Sequence, residues 1–444
     1  MKQDELKKAP QAEPTEQRRA VKILNSSFLA QKRLKEYILQ GHEVAKRNEP
    51  ILWAGANPAW TELYWALDLY IAYPINYAAL LAAKQVMPHY LEIAEREGYF
   101  RDLCRYCSKS IVGALLAPDK AKLPWGGLPR PTAVLLGCNT CDTLAKVYES
   151  FAKWNNVPCF IIERTFPSEP PQIFPIGADG QEVAEPQKID QYRVDYYMDQ
   201  LRDMILFLET HTGKRLEQNK LKQAIAYSNE MWKYVYEIDD LRRSHPCPMS
   251  PTDTFANVPV GIMFRGTKWA VEHMRGLRDE VKERVTNGIG VVEREKYRLL
   301  WVGYPIWFNP AFTSWFEQEY NAVFVWEMYH PPRNWGMMDP QNPLESLCRM
   351  CVDFFTDVSL SGQSFSEAFL PAARAPDNAD GAILIKIESC KPVTAALKYC
   401  ARELDRAGIP YIEINGDFVD PRDWDDNRMK MRIGEFIQTL KPRY

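Results

Sequence analysis

Short apolar runs alternate with helix-length segments in two separate parts of the chain, and this pattern constrains the fold more than any other feature of the sequence. The first part contains the runs 51–56, 132–138 and 158–164, and the second contains the runs 298–307, 321–329, 381–390 and 410–417. Strands separated by helices are typical of βαβ units, in which the strands are parallel. We therefore predict an α/β fold with two Rossmann- or flavodoxin-like parallel-sheet lobes.

The segments between these runs have helical patterns. Residues 59–70 predict a helix behind the first strand, and residues 185–290 form a long, charged, helical stretch with few strand signals. The pattern divides the chain into a helical N-terminal segment (1–48), a first α/β lobe (49–184), a helical middle segment (185–290) and a second α/β lobe (291–444).

The charge balance and the apolar runs exclude two classes of partner. The 444 residues carry 55 Lys and Arg against 58 Asp and Glu, so the formal net charge is -3, which does not suit a chain that binds nucleic acid through bulk positive charge. No run approaches the roughly 18 apolar residues of a membrane-spanning helix. The charged amino terminus lacks the apolar core of a secretory signal. We expect a cytoplasmic protein that binds neither nucleic acid nor membrane.

Ten cysteines are the strongest functional signal, at positions 104, 107, 138, 141, 159, 247, 348, 351, 390 and 400. Three C-x-x-C pairs occur: 104/107, 138/141 and 348/351. A cytosolic compartment keeps such thiols reduced, so the spacing favours metal or iron–sulfur ligation or redox chemistry over disulfides. The alternative is that these cysteines are small buried apolar side chains.

Three cysteine positions are expected to meet in the cleft between the lobes. Cys138 and Cys141 follow one predicted strand, Cys390 follows another, and Cys104 opens a helical run. In open parallel sheets, ligands bind at the carboxyl ends of the strands. Three thiolates on a 4Fe-4S cube would leave one iron open to a substrate oxygen, which predicts a catalytic cluster.

Other polar and aromatic candidates carry a weaker signal. Arg265 could bind an anionic group of a substrate, His330 and Glu327 could donate a proton, and Tyr304 and Trp307 could line a flat substrate slot. Their structural alternatives are a buried ion pair for Arg265, a solvated loop for His330 and Glu327, and core packing for the aromatic residues. The histidines form no spaced cluster.

Several longer segments resemble one enzyme family. They are DLCRY (102–106), LLGCNTCDTLAKVYE (135–149), FRGT (264–267), EKYRLLWVGYPIWF (295–308), DPQNPLESLCRMC (339–351) and the tail ADGAILIKIESCK…GIPYIEINGDFVDPR. In this order they resemble subunits of 2-hydroxyacyl-CoA dehydratases and of ATP-dependent benzoyl-CoA reductases. The similarity looks greatest for the larger cluster-bearing, B-type subunit of benzoyl-CoA reductase.

The resemblance implies one 4Fe-4S cluster per chain with an open iron site. The implied ligands are Cys104, Cys141 and Cys390, with Cys107 as the alternative to Cys104. Cys348 and Cys351 match a C-x-x-C of the reductase-like subunit, and we expect a structural role for them.

The resemblance also implies an activity and a set of partners. The reductases of this family dearomatise an aromatic acyl-CoA by single-electron transfer in anaerobic aromatic degradation. The chain has no G-x-x-x-x-G-K-S/T or G-x-G-x-x-G loop, so the expected partners are a smaller paralogous cluster subunit, ATPase–activator subunits with a bridging 4Fe-4S cluster, and ferredoxin as their electron donor.

Two alternative functions follow from the same residues. A 2-hydroxyacyl-CoA dehydratase subunit would recycle its electron in a radical water elimination. A zinc-stabilised structural protein would use the C-x-x-C pairs as metal ligands.

Overall fold

Most of the apolar runs form strands that are buried on both faces, as continuous hydrophobic segments do in parallel sheets, whereas the runs 158–164 and 410–417 form strands that are partly exposed. The computed structural model describes residues 23–55, 60–136, 141–163, 165, 190–327, 329, 337–357 and 379–443. Within these residues the strands are β1 (Ile51–Ala54), β2 (Tyr70–Ala72), β3 (Ala133–Leu136), β4 (Cys159–Ile161), β5 (Tyr297–Val302), β6 (Ala322–Glu327), β7 (Gly381–Ile387) and β8 (Tyr411–Gly416).

The helices of the first half of the described chain are α1 (Asn25–Lys46), α2 (Thr61–Ala66), α3 (Pro74–Ala83), α4 (Met87–Arg96), α5 (Ser110–Leu116), α6 (Asp142–Asn155), α7 (Gln191–Thr212) and α8 (Gln218–Arg242). Those of the second half are α9 (Pro251–Met263), α10 (Lys268–Thr286), α11 (Phe312–Tyr320), α12 (Pro343–Asp357), α13 (Lys391–Ala407) and α14 (Asp426–Thr439). A π-helical turn spans Arg105–Lys109, and short 3₁₀ turns span Lys120–Lys122 and Pro124–Gly126.

The strands form two parallel four-stranded sheets with the same topology. The strand order is β2-β1-β3-β4 in the first sheet and β6-β5-β7-β8 in the second. In register, Leu52 pairs with Ala133 in the first sheet and Leu299 pairs with Gly381 in the second. This order is that of flavodoxin-like sheets, so the predicted α/β fold with two parallel-sheet lobes is confirmed.

Alternate residues of the strands face different cores. Leu299 and Trp301 of β5 pack with Trp53 and Val134 of the first sheet in one core that joins the two lobes. Leu300, the intervening residue, faces a separate core on the outer side of the second sheet. The period-two alternation of side chains along a strand causes this division. The lobes therefore share a hydrophobic interface at which both sheets contribute residues.

The prediction for residues 59–70 is wrong in part. The helix ends at Ala66, and Tyr70–Ala72 form β2 at the edge of the first sheet. Three residues are too few to show a strand period, so pairing with β1 rather than local pattern decides their conformation.

The middle of the chain is helical, as its pattern predicts. Helices α8 and α10 pack along each other, α8 also packs against α2 of the first lobe, and α1 packs against α9 and α10. Within the described residues no helix combines the length and the hydropathy that crossing a bilayer requires.

Candidate functional site

A cavity of about 1100 Å³ lies where the two lobes meet, and four cysteine side chains line it. They are Cys104, Cys107, Cys141 and Cys390. Two belong to the turn before α5, one precedes α6 of the first lobe, and one precedes α13 of the second lobe. Residues from three distant parts of the sequence therefore present thiols to one space.

The π-helical turn places Cys104 and Cys107 side by side. Cys104 caps this turn, and the backbone N–H of Cys107 donates to its Sγ at 3.3 Å. Hydrogen bonds from the Cys107 thiol and from backbone N–H groups lower the pKa of Cys104 despite its burial. Donation to Cys104 and burial raise the pKa of Cys107 well above its ordinary value. Cys104 therefore loses its proton to form a thiolate more readily than Cys107 does.

Cys141 and Cys390 occupy equivalent positions in the two lobes. Each is the residue before a helix that follows the central strand, β3 for Cys141 and β7 for Cys390. The strand order reverses beside these strands, which is where flavodoxin-like sheets bind ligands. Burial first, and repulsion from Cys104 next, raise the pKa of Cys390. Since neighbouring thiols interact in this way, a cationic centre among them would favour their thiolate forms.

An ion-pair network joins the segments that carry these cysteines. Arg105 is buried, and its guanidinium lies 3.6 Å from the carboxylate of Asp417 and 3.4 Å from that of Asp420. Asp417 also accepts a hydrogen bond of 2.6 Å from Ser389, the neighbour of Cys390. The turn after Cys104 and the loop before Cys390 thus share one carboxylate.

A second set of ion pairs connects the two lobes next to this network. Both guanidinium N–H groups of Arg422 donate to Glu95 of α4, at 3.0 and 2.8 Å. Lys109, at the end of the π-helical turn, donates to the same carboxylate at 2.8 Å. The Arg422 contact is the largest of the effects that lower the pKa of Glu95 to about 2. These contacts fix the π-helical turn against the second lobe.

Aromatic side chains form the wall of the cavity opposite the first lobe. The ring of Tyr304 lies 4.7 Å from that of Phe418 and 6.0 Å from that of Tyr329, between centroids. Trp307 lies 5.8 Å from Tyr329. Burial raises the pKa of Tyr304 well above its ordinary value, so its hydroxyl stays protonated. The predicted residues Tyr304 and Trp307 do line the cavity with the cysteines.

Two other predicted residues form buried ion pairs away from the described cavity lining. Glu327 accepts both guanidinium hydrogen bonds of Arg242, at 3.0 and 2.6 Å. Arg265 donates to Glu62 at 2.6 and 3.1 Å. The Arg265 contact matches the buried ion pair that the sequence left open. Glu327 instead ends β6 in a buried ion pair, so the solvated loop expected as its alternative is wrong. A catalytic or substrate role for either residue stays a prediction. His330 and Cys138 lie outside the described residues.

The remaining cysteines do not line the described cavity. Cys348 and Cys351 are fully buried in the core that contains α7, α8 and α12. Cys400 is buried on the outer face of the second sheet. Cys159 packs at the edge of the core shared by the lobes. Their surroundings are those of small apolar side chains.

The donor set has the chemistry that an iron–sulfur cluster uses. Among the described residues, no three His, Cys, Asp or Glu side chains lie together as ligands of one ion. A cubane needs a wider set, because each thiolate binds a different iron, and thiolates are the ligands such clusters prefer. Thiols of this kind are present in Cys104, Cys141 and Cys390. The three residues come from separate segments of the chain that line one cavity.

The ion pairs that hold the cysteine-bearing segments together were not predicted from the sequence. Arg105, Asp417 and Asp420 were not predicted to form a network, although Asp417 and Asp420 directly follow β8. Their position after a strand that neighbours β7 was a usable signal, because the carboxyl ends of adjacent parallel strands share one edge of the sheet. Tyr329 and Phe418 likewise lie just after strands.

Fold and site together define a two-lobed α/β protein with a thiol-lined cavity between its sheets. Comparison with known families shows which family of this class it belongs to: the chain is a member of the family of the 2-hydroxyglutaryl-CoA dehydratase D-component, whose model matches residues 59–440. The resemblance predicted from the sequence is confirmed.

Relatives with assigned activities are subunits of enzymes. The chain is 26% identical over 388 residues to the (R)-2-hydroxyisocaproyl-CoA dehydratase alpha subunit of Clostridioides difficile, covering 86% of this chain and 88% of the relative. It is 26% identical to the (R)-phenyllactyl-CoA dehydratase alpha subunit of Clostridium sporogenes, covering 88% and 89%. It is 25% identical to the B-type subunit of the benzoyl-CoA reductase of Thauera aromatica, covering 78% of each. The chain is thus a member of a family of enzyme subunits.

Proposed function

We propose that this chain is the iron–sulfur subunit of an ATP-dependent aromatic acyl-CoA reductase of the benzoyl-CoA type. The observation that carries the proposal is the meeting of Cys104, Cys141 and Cys390 in one cavity walled by Tyr304 and Trp307. Thiols supply a place for a redox centre, and flat rings supply a surface on which an aromatic acyl group can stack.

The ligand set proposed for the cluster is Cys104, Cys141 and Cys390. Cys104 is preferred to Cys107 because hydrogen bonds lower its pKa, whereas the pKa of Cys107 is raised. A cluster bound by three thiolates supplies single electrons at low potential and keeps one iron without a protein ligand. Cys107 then acts as a donor to the Cys104 sulfur and not as a ligand.

Buried hydroxyl groups of the cavity stabilise negative charge on a thioester oxygen. The pKa of Tyr304 is raised by burial and then by Tyr329, and its O–H therefore remains a donor across the working pH range. A donor held in a site that excludes water stabilises developing oxyanion charge more than it does in water. Tyr304 and Tyr329 are the hydroxyl donors that we assign to this role. Glu327 and His330 remain the proposed proton donors to the ring, and Arg265 remains a proposed substrate contact.

The proposed partners follow from what the sequence lacks. Electrons at low potential require ATP hydrolysis, and this chain has no phosphate-binding loop motif. The proposal therefore includes ATPase–activator subunits with a bridging cluster, ferredoxin as their donor, and a smaller paralogous cluster subunit.

The test is anaerobic purification of the chain with its partner subunits, followed by iron, sulfide and EPR analysis. We expect about four irons and four sulfides per copy of this chain in addition to those of the cluster-bearing partner subunits, and ATP-dependent consumption of electrons with benzoyl-CoA. One or two zinc ions without iron would overturn the proposal and support the zinc-stabilised structural protein.

A 2-hydroxyacyl-CoA dehydratase subunit is the second candidate. The dehydratase alpha subunits align over 86% and 88% of the chain, against 78% for the reductase relative. The same complex separates the two: redox-neutral loss of water from a 2-hydroxyacyl-CoA, without net electron consumption, would establish the dehydratase.

A further inference from the structure

The cavity is elongated along α3. One face of this helix lines it over the whole length, through Ile75, Asn76, Ala79, Leu80, Ala83 and the following Lys84. At 1.5 Å per residue the lining extends about 14 Å from Ile75 to Lys84. The cavity is therefore long enough for a ligand with two separate ends.

The cysteines lie toward the beginning of α3. The π-helical turn that follows Cys104 and contains Cys107 packs against this helix. Tyr73, the residue before α3, follows β2, and Cys141 follows β3. Because both strands are parallel to β1, their carboxyl ends lie at the same edge of the sheet. The end of the helix, with Lys84, contacts a different part of the chain.

Lys84 and Trp125 form the other end of the cavity together with α1. The Lys84 ammonium lies 5.9 Å from the centroid of the Trp125 ring. His42 of α1 contacts the carbonyl oxygen of Trp125 at 3.0 Å. Lys35 lies two helical turns before His42 and also lines the cavity. These elements carry no cysteine of the site.

The lining of the whole cavity is cationic, although the chain as a whole has a net charge of -3. Among the described lining residues five are lysines, Lys32, Lys35, Lys84, Lys146 and Lys391, and one, Asp102, is acidic. Lys32 has an exposed ion pair of 3.9 Å with Glu36. Lys35 and Lys84 are exposed and form no ion pair with a described carboxylate. Their charges are available to an anionic ligand.

Trp125 is held in a conformation that its own backbone disfavours. Its φ is 55°, in the left-handed region, and Gly126 and Gly127 follow with φ of 84° and 81°. A bulky residue adopts this region only where the surroundings impose it, and such residues concentrate at ligand sites. In this conformation the half-buried indole ring of Trp125 lines the cavity beside Lys84. Aromatic rings in such positions stack on nucleobases.

We propose that Trp125, Lys84 and Lys35 bind the nucleotide end of the acyl-CoA, with the ring under the adenine and the lysines at its phosphates. The thioester then extends along α3 to the cysteines. This inference rests on the proposed function, because it takes the substrate to be a CoA thioester. Lys35 lies in α1, before the residues 59–440 that the family model matches, so this subsite goes beyond what membership of the family implies.

The experiment compares ligands with and without the nucleotide. Dissociation constants of benzoyl-CoA and (R)-phenyllactyl-CoA, and of the matching pantetheine thioesters, are measured on the anaerobically purified complex. For the K35A/K84A variant we expect a rise in Kd for the CoA thioester of roughly tenfold per lysine, as for hydrogen bonds to charged groups, and a change below about twofold for the pantetheine thioester. Rising salt should weaken CoA-thioester binding more in the native complex than in the variant.

Two variants of Trp125 test the stacking contribution, and a lysine variant outside the described lining is the control. Trp125→Ala should raise the Kd of the CoA thioester by about tenfold, and Trp125→Phe by less, because it keeps a ring. Lys398→Ala, an exposed lysine of α13 outside the described lining, is the control and should leave both ligands unaffected. Iron content per chain should match that of the native complex in every variant.

The outcomes distinguish this inference from the proposed function. If the native complex binds the CoA thioesters and the K35A/K84A variant binds them equally well, the subsite assignment is overturned and the proposed function stands. An equal loss of affinity for CoA and pantetheine thioesters also overturns the assignment. If the native complex binds no CoA thioester, the proposed function fails and this inference fails with it.

Discussion

The guanidinium of Arg105 lies 3.6 Å from the carboxylate of Asp417, and this buried contact joins the two lobes directly behind the cysteines. Arg105 follows Cys104, while Asp417 is bonded to Ser389, which precedes Cys390. This ion pair is therefore one of the contacts that set the separation of two thiols from opposite halves of the chain. A change in this pair moves both segments relative to each other.

Replacing Arg105 by Met should lower the free energy of unfolding by about 3–5 kcal/mol, because the buried carboxylate of Asp417 would lose its cation, while Asp420 would keep its pairing with Arg422. Urea unfolding of the purified chain measures this. The matched control is Lys153→Met, which removes an exposed ion pair with Glu149 and should cost less than about 1 kcal/mol. Equal effects of the two variants would show that Arg105 contributes no more than a surface charge.

Each of Cys104→Ala, Cys141→Ala and Cys390→Ala should remove most of the iron, because two thiolates anchor a cluster poorly. Cys107→Ala should keep it, since we assign Cys107 a donor role. Iron and sulfide per chain, with circular dichroism as a check of folding, are the measurements. Cys159→Ala and Cys400→Ala, outside the described lining, are the controls. Loss of iron in Cys107→Ala together with its retention in Cys104→Ala would make Cys107 the ligand.

Glu327→Gln should destabilise the protein by about 3–5 kcal/mol, because the buried charge of Arg242 would lose the carboxylate that accepts two of its hydrogen bonds. Replacing both residues by apolar side chains, as in R242M/E327L, should cost less than the single change. Thermal unfolding and turnover per folded complex are measured together. A drop in kcat at unchanged stability would instead support the catalytic role predicted for Glu327.

Glu317 of α11 should make stability depend on pH. Burial raises its pKa from 4.5 to about 7, although Ser250 donates to it at 2.7 Å. The folded protein holds this proton more tightly than the unfolded chain, so the free energy of unfolding should fall as the pH rises from about 4.5 to about 7 and stay level above that. The total change should be roughly 3 kcal/mol.

Unfolding at several pH values checks this dependence. Glu317→Gln should flatten the slope in that interval, whereas Glu319→Gln, an exposed residue of the same helix, should leave it unchanged. A slope that persists in Glu317→Gln would assign the effect to another buried group.

Much of the fold was predictable because it depends on local pattern. Seven of the described strands coincide with apolar runs of the sequence, and buried parallel strands require such runs. Cys141 and Cys390 were predicted to meet because both follow central strands of parallel sheets, whose carboxyl ends bind ligands. The pairing of β1 with β2 escaped prediction because β2 has only three residues.

The sequence by itself determined seven of the eight described strands, their parallel arrangement and the cysteines at the strand ends, since each of these is encoded by neighbours in the chain. Tertiary structure alone decided that Arg265 pairs with Glu62, Glu327 with Arg242, and Arg105 with Asp417. It also decided that α1 and α3 complete the cavity. The physical reason is that a buried charge takes whichever opposite charge packing brings within reach, and packing joins residues that are hundreds of positions apart.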